Sequence, residues 1–206
     1  MAGRLMLLDS ASLYFRAFFG VPDSLKSPDG TVVNAVRGIL DFVATLSTKY
    51  HPDAIVACWD DDWRAAWRVD LLPSYKTHRV LEVVAGDVDI EETPDLLSPQ
   101  VPIIAEALGL VGIPVVGAAG AEADDIIGTL APAWDGPVDV VTGDRDLFQL
   151  VAAAQPVRVL YTAPGVGNHH VVELGASADT AGLRWPAGIV PAIGRTGPLA
   201  TARPGW

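Results

Sequence analysis

The sequence predicts an α/β fold, a mostly parallel sheet flanked by helices, and three observations predict it. Short apolar runs recur at residues 4–8, 54–59, 113–116 and 138–142, each nearly continuous, as in strands buried on both faces of a parallel sheet. Stretches with helical periodicity lie between them, the alternation that builds βαβ units. Each run is followed closely by acidic residues, so the acids collect at one edge of the sheet.

The first run leads into Asp9. Residues 31–50 then place Val32, Val36, Ile39, Leu40, Val43 and Leu46 at helical spacing, with Asp29 and Gly30 marking a start and Pro52 an end. The run at 54–59 holds the only cysteine, Cys58, which reads as a small buried hydrophobe, and a disulfide within the chain is excluded. Residues 73–100 show no strand and no clear helical period. They mix Lys76, His78 and Arg79 with Glu82, Asp87, Asp89, Glu91 and Glu92, and read as a long functional loop. A helix at 101–110, the strand at 113–116, a helix at 123–130 and the strand at 138–142 complete the pattern. From residue 164 it fails, and after Asp179 there is no Asp, Glu or Lys. The expected division is an organised core over 1–163 and an irregular tail over 164–206.

With 206 residues, half of them apolar, the chain can bury one sizeable core. The apolar run within MAGRLMLLDS is too short for a secretory segment or a membrane span, so a cytoplasmic protein without membrane contact is expected. A formal charge of −11 opposes binding to a polyanion unless the acids converge on cations.

Asp9, Asp60, Glu122, Asp124, Asp125, Asp144 and Asp146 all follow predicted strands. In an open parallel sheet those strand ends face the edge where ligands bind. Taken singly, each acid is as well explained as a turn or cap; Asp144, for example, can cap a helix beginning near Leu147. Jointly they make a cluster whose charges disfavour one another. Divalent cations relieve that cost, and all-oxygen donors without clustered Cys or His suit Mg²⁺ or Mn²⁺. Two such ions, roughly 3.5–4 Å apart, would clamp the attacking water and the leaving oxygen of a phosphodiester.

These acids, with LLDSASLYFRAFFG at 7–20, Arg64, SYKTHR at 74–79, EADD at 122–125 and TGDRD at 142–146, resemble the 5′ nuclease family. That family includes the 5′→3′ exonuclease part of bacterial DNA polymerase I, the flap endonucleases and free-standing actinobacterial-type exonucleases. The resemblance runs from about Leu5 to Tyr161. It implies a metal-dependent 5′→3′ exonuclease or flap endonuclease acting on DNA with a free 5′ end or a 5′ flap, with 73–100 as an arch. It implies that the seven acids hold metal, directly or through water, and that Lys76 and Arg79 neutralise the scissile phosphate. It also implies DNA contacts from Tyr14, Arg16, Arg64 and Tyr75, with Tyr14 or Tyr75 stacking on the terminal base.

The family pattern continues past TGDRD to a further aspartate pair and a Gly-rich helix–hairpin–helix. Residues 183–195, where the pair is expected, contain no acid, and the composition of the tail is what a GC-rich gene yields in a shifted frame. The expectation is therefore a nuclease impaired at its C-terminal side. Two alternatives stand beside it: an inactive remnant that binds DNA or metal, and a small PIN-type ribonuclease, against which the insertion at 73–100 weighs.

Overall fold

The computed structural model describes residues 2–84, 90–151 and 156–173. Its main sheet has six strands in the order β5-β2-β1-β6-β7-β8. These are β1 (Leu5–Asp9), β2 (Ala54–Cys58), β5 (Val115–Val116), β6 (Val138–Thr142), β7 (Val157–Tyr161) and β8 (His170–Val172). The first five run parallel and β8 pairs antiparallel with β7. Every residue of β1 and of β6 is buried, and alternate residues serve different layers. Leu5, Leu7, Val138 and Val140 pack with α5 (Ala123–Ala133) through Ile126 and Ile127. Met6, Leu8 and Val141 face the other layer, built from α1 (Ser10–Gly20), α2 (Asn34–Tyr50) and α4 (Gln100–Leu110). Helices α1 and α2 approach closely at Gly38, where a Cβ would lie 2.6 Å from that of Ala17. Among the described residues no helix is long and apolar enough to cross a membrane.

Three expectations are corrected. Helix α2 starts at Asn34, three residues after the expected position, because the Asp29 carboxylate is used in a turn, accepting from Thr31 N (3.0 Å) and the Ser27 hydroxyl. The buried Gln100 side chain starts the helix instead, accepting from Ala35 N at 2.8 Å and donating to Asn34 Oδ1 at 2.9 Å. Residues 73–100 do contain strands, β3 (Val80–Glu82) and β4 (Ile90–Glu91), paired antiparallel. Three and two residues are too few to display a period. Finally, order continues past residue 163, where β8 pairs with β7 from Tyr161↔His170 to Val159↔Val172. The expectation of an irregular tail otherwise falls on 174–206, outside the described residues.

Strand β7 escaped notice in the sequence because Arg158 interrupts its apolar run. In the sheet Arg158 lies beside Asp139 of β6, which interrupts that strand in the same way. Their side chains pair at 2.6 Å. Each charge is tolerable inside the sheet only because the other is there.

Candidate functional site

The order of chain connections reverses between β1 and β6, the switch point at which open α/β sheets bind ligands. Asp9 sits there, on the last residue of β1, and caps α1 by accepting from Ser12 N at 3.2 Å. Its other oxygen accepts from the Thr142 hydroxyl at the end of β6, at 2.6 Å. Asp60, two residues beyond β2, accepts from Ala123 N at 2.6 Å and so ties that strand end to the start of α5. Asp144 follows β6 and accepts from Asp146 N at 2.8 Å. This is a local turn two residues long and not the helix cap considered for Asp144: the 3-10 turn over Asp146–Leu150 starts from Arg145 without a side-chain cap. Asp144 and Asp146 are both exposed.

Burial and mutual repulsion raise the proton affinity of Asp9 and Asp124. Asp9 is pushed up to about 6, first by desolvation and then by Asp60 and Asp144, against the lowering effect of its two hydrogen bonds. Asp124, in the first turn of α5, is pushed up to about 8 by burial and by Asp9, Asp144, Asp60 and Glu122. Among the described residues no Lys or Arg is ion-paired with Asp9, Asp60, Asp124 or Asp144. Four hard oxygen donors without a neutralising partner fit a divalent cation in charge and in donor type. They are not pre-assembled, since among the described residues no three acid, His or Cys side chains converge as a ready coordination shell.

Glu122 and Asp125 belong to a second, neutralised group. They form a capping box at the start of α5, with Glu122 N donating to Asp125 Oδ2 at 3.0 Å. The buried Glu122 carboxylate accepts from the Tyr75 hydroxyl at 2.9 and 3.0 Å and from Lys76 Nζ at 2.8 Å. Arg68 reaches Asp125 at 2.6 Å. Lys76 holds this position with φ of 49°, a left-handed backbone that a non-glycine residue adopts at some cost, and its ammonium also donates to the Trp63 carbonyl at 2.8 Å. Arg79 pairs with Glu91 of β4. Arg64 donates to the Tyr75 carbonyl at 2.7 Å. The cations expected at a phosphate are thus brought to the mouth of the acid cluster, but each lies against a carboxylate or a carbonyl.

One expected DNA contact needs correction. Tyr14 is buried among Phe15, Trp59 and the apolar layer of α1 and α2, which leaves no open ring face for a base. Arg16 lies beside Gly143 at the carboxyl end of β6 and donates to the Ala163 carbonyl at 3.0 Å. Sequence reading missed Arg68, Thr142 and Glu91. Arg68 could have been noticed as a cation eight residues before Lys76; Thr142 and Glu91 carried no local signal.

Comparison with known proteins bears on this geometry. The family model for the 5′-3′ exonuclease, N-terminal resolvase-like domain, matches residues 4–176. The chain is 58% identical over 184 residues to a 5′-3′ exonuclease of Streptomyces coelicolor, covering 89% of this chain and 59% of that protein. It is 53% identical over 171 residues to a 5′-3′ exonuclease of Mycobacterium tuberculosis, covering 82% of this chain and 54% of that protein. In fold it resembles the bacteriophage T5 flap endonuclease, solved as a pseudo-enzyme-product complex with DNA and metal ions. The TM-score is 0.57 at 17% identity, over 87% of this chain and 61% of that one. The chain thus spans under two thirds of each of these proteins' lengths. With the family model spanning the whole described sheet and two relatives above half identity, the chain belongs to the 5′-3′ exonuclease family.

Proposed function

We propose that the chain supplies the catalytic core of a divalent-metal-dependent 5′→3′ nuclease acting on DNA with a free 5′ end or a 5′ flap. The observation that carries this reading is the group of four carboxylates at the switch point, two of them with raised proton affinity and none ion-paired with a cationic side chain among the described residues. Asp9, Asp60, Asp124 and Asp144 would hold the cation, with Asp146 at the exposed rim. A bound divalent cation supplies polarisation of the phosphodiester and a lowered pKa for the attacking water. The Thr142 hydroxyl orients Asp9 by donating to one oxygen. Lys76 and Arg79 add positive charge where the scissile phosphate would lie, once they exchange Glu122 and Glu91 for it. Family membership and the metal ions and DNA in the T5 structure support the reading.

A cleavage assay on a 5′-flap duplex with Mg²⁺ or Mn²⁺ tests it. Release of product that disappears in the Asp144→Ala, Asp146→Ala double variant supports the proposal, and Mn²⁺ is expected to work better because the shell is not pre-assembled. One observation favours a second reading, a chain that binds cation and DNA without cutting: Glu122 and Lys76 occupy each other. Cation binding with no product in either metal would select it.

A further inference from the structure

We infer that Arg68 is a positioning residue, which with Glu122 and Asp125 clamps the segment bearing Tyr75 and Lys76 to the mouth of the acid cluster. The inference rests on the function proposed above for what Lys76 does, but not for how it is held.

Helix α3 (Ala66–Leu71) buries none of its six residues. Apolar burial ends at Trp63 and Ala65, just before the helix, and Leu71 and Leu72 are 76% and 54% exposed, so apolar packing does not seat the part beyond residue 65. Polar contacts do. Arg68 Nη2 donates to Asp125 Oδ1 at 2.6 Å, and its Nε lies 3.6 Å from Glu122 Oε1. The guanidinium stacks over Trp67 at 4.6 Å and lies 5.7 Å from the Tyr75 ring. Trp67 in turn donates to the Gly120 carbonyl at 3.2 Å. Seven and eight residues further on, Tyr75 and Lys76 donate to the same Glu122 carboxylate. The acids are immobile for a separate reason: Ala123, Ile126 and Ile127 of α5 are buried in the core. A rigid helix start thus holds a segment that cannot hold itself, and Arg68 is the first grip.

This divides six of the seven acids between two jobs. Glu122 and Asp125 spend their charge on Arg68 and Lys76, whereas Asp9, Asp60, Asp124 and Asp144 have no such partner among the described residues. A planar guanidinium can bridge two carboxylates and stack on a ring; an ammonium cannot do both. Lysine at position 68 should therefore restore only part of the clamp.

Amide hydrogen exchange on the full chain, metal-free, compares wild type, Arg68→Gln, Arg68→Lys and Arg37→Gln, an exposed α2 control. Exchange across residues 66–82 should rise about tenfold or more in Arg68→Gln, less in Arg68→Lys and not in Arg37→Gln, with β1, β6 and α5 unchanged. Unchanged protection of 66–82 in Arg68→Gln, or equal loss across the sheet, overturns the inference. Mn²⁺ affinity of the same proteins, by calorimetry, should stay within about threefold of wild type for Arg68→Gln and collapse for Asp124→Asn, as expected of a residue that positions without ligating. Loss of Mn²⁺ binding in Arg68→Gln to the extent seen in Asp124→Asn overturns the division of labour. Absent binding in wild type would sink the cation reading and leave the exchange result to judge Arg68 alone.

Discussion

The two ends of the central strands handle buried acid in opposite ways. At the amino end of β6, Asp139 is fully buried and sits between two guanidiniums, Arg4 at 2.8 Å and Arg158 at 2.6 Å. At the carboxyl end of β1, Asp9 is almost as deeply buried but has only a hydroxyl and a backbone amide, and its acid neighbours repel it. The same sheet, built from the same apolar strands, neutralises one end within the chain and leaves the other acidic. Stability alone favours the first arrangement. An uncompensated cluster persists where a ligand supplies the missing charge, so the contrast locates the working end.

Making the ends alike should have the largest effect. Replacing both arginines, Arg4→Met with Arg158→Met, strands Asp139 and should cost about 3–5 kcal/mol at neutral pH, read by chemical denaturation. A loss under about 1 kcal/mol would mean that Asp139 does not depend on its partners. The reverse change, Asp124→Asn, should stabilise the metal-free chain at pH 8 by about 1–3 kcal/mol, a figure discounted because Asp124 is only partly buried.

The pH dependence has a definite sign. The folded state raises Asp9 to about 6 and Asp124 to about 8, so it binds more protons than the unfolded chain. Their contribution is greatest below the unfolded value of about 4 and is lost as pH rises through both folded values. Between pH 5 and 8, wild type should therefore lose on the order of 2 kcal/mol relative to an Asp9→Asn, Asp124→Asn variant in metal-free buffer. Parallel pH profiles would contradict the contrast. The smallest effect belongs to the neutralised group beside the cluster: Tyr75→Phe removes one donor from Glu122, which keeps Lys76, and should cost about 1 kcal/mol.

Much of this was readable in the sequence because it depends on local pattern. β1, β2 and β6 are apolar runs, and an acid just beyond such a strand must lie at the ligand edge whatever the rest of the chain does. Partnership was not readable, because it depends on residues far apart. Glu122 and Asp124 look equivalent in EADD, yet Glu122 meets Lys76 from 46 residues away, whereas Asp124 has no ion-paired cation among the described residues and is repelled by its acid neighbours. Tyr14 stood open between core and stacking platform, because helical spacing does not reveal which face is covered. The short strands β3, β4 and β8 exist through backbone pairing, which leaves little trace in two or three residues.

A cation titration tests the central claim most directly. In millimolar Mn²⁺ at pH 8 the melting temperature of the chain should rise by several degrees, through preferential binding to the folded state. The rise should vanish in an Asp9→Asn, Asp60→Asn variant. No shift in wild type, or an equal shift in the variant, would contradict the claim that the carboxyl end of this sheet is completed by a divalent cation.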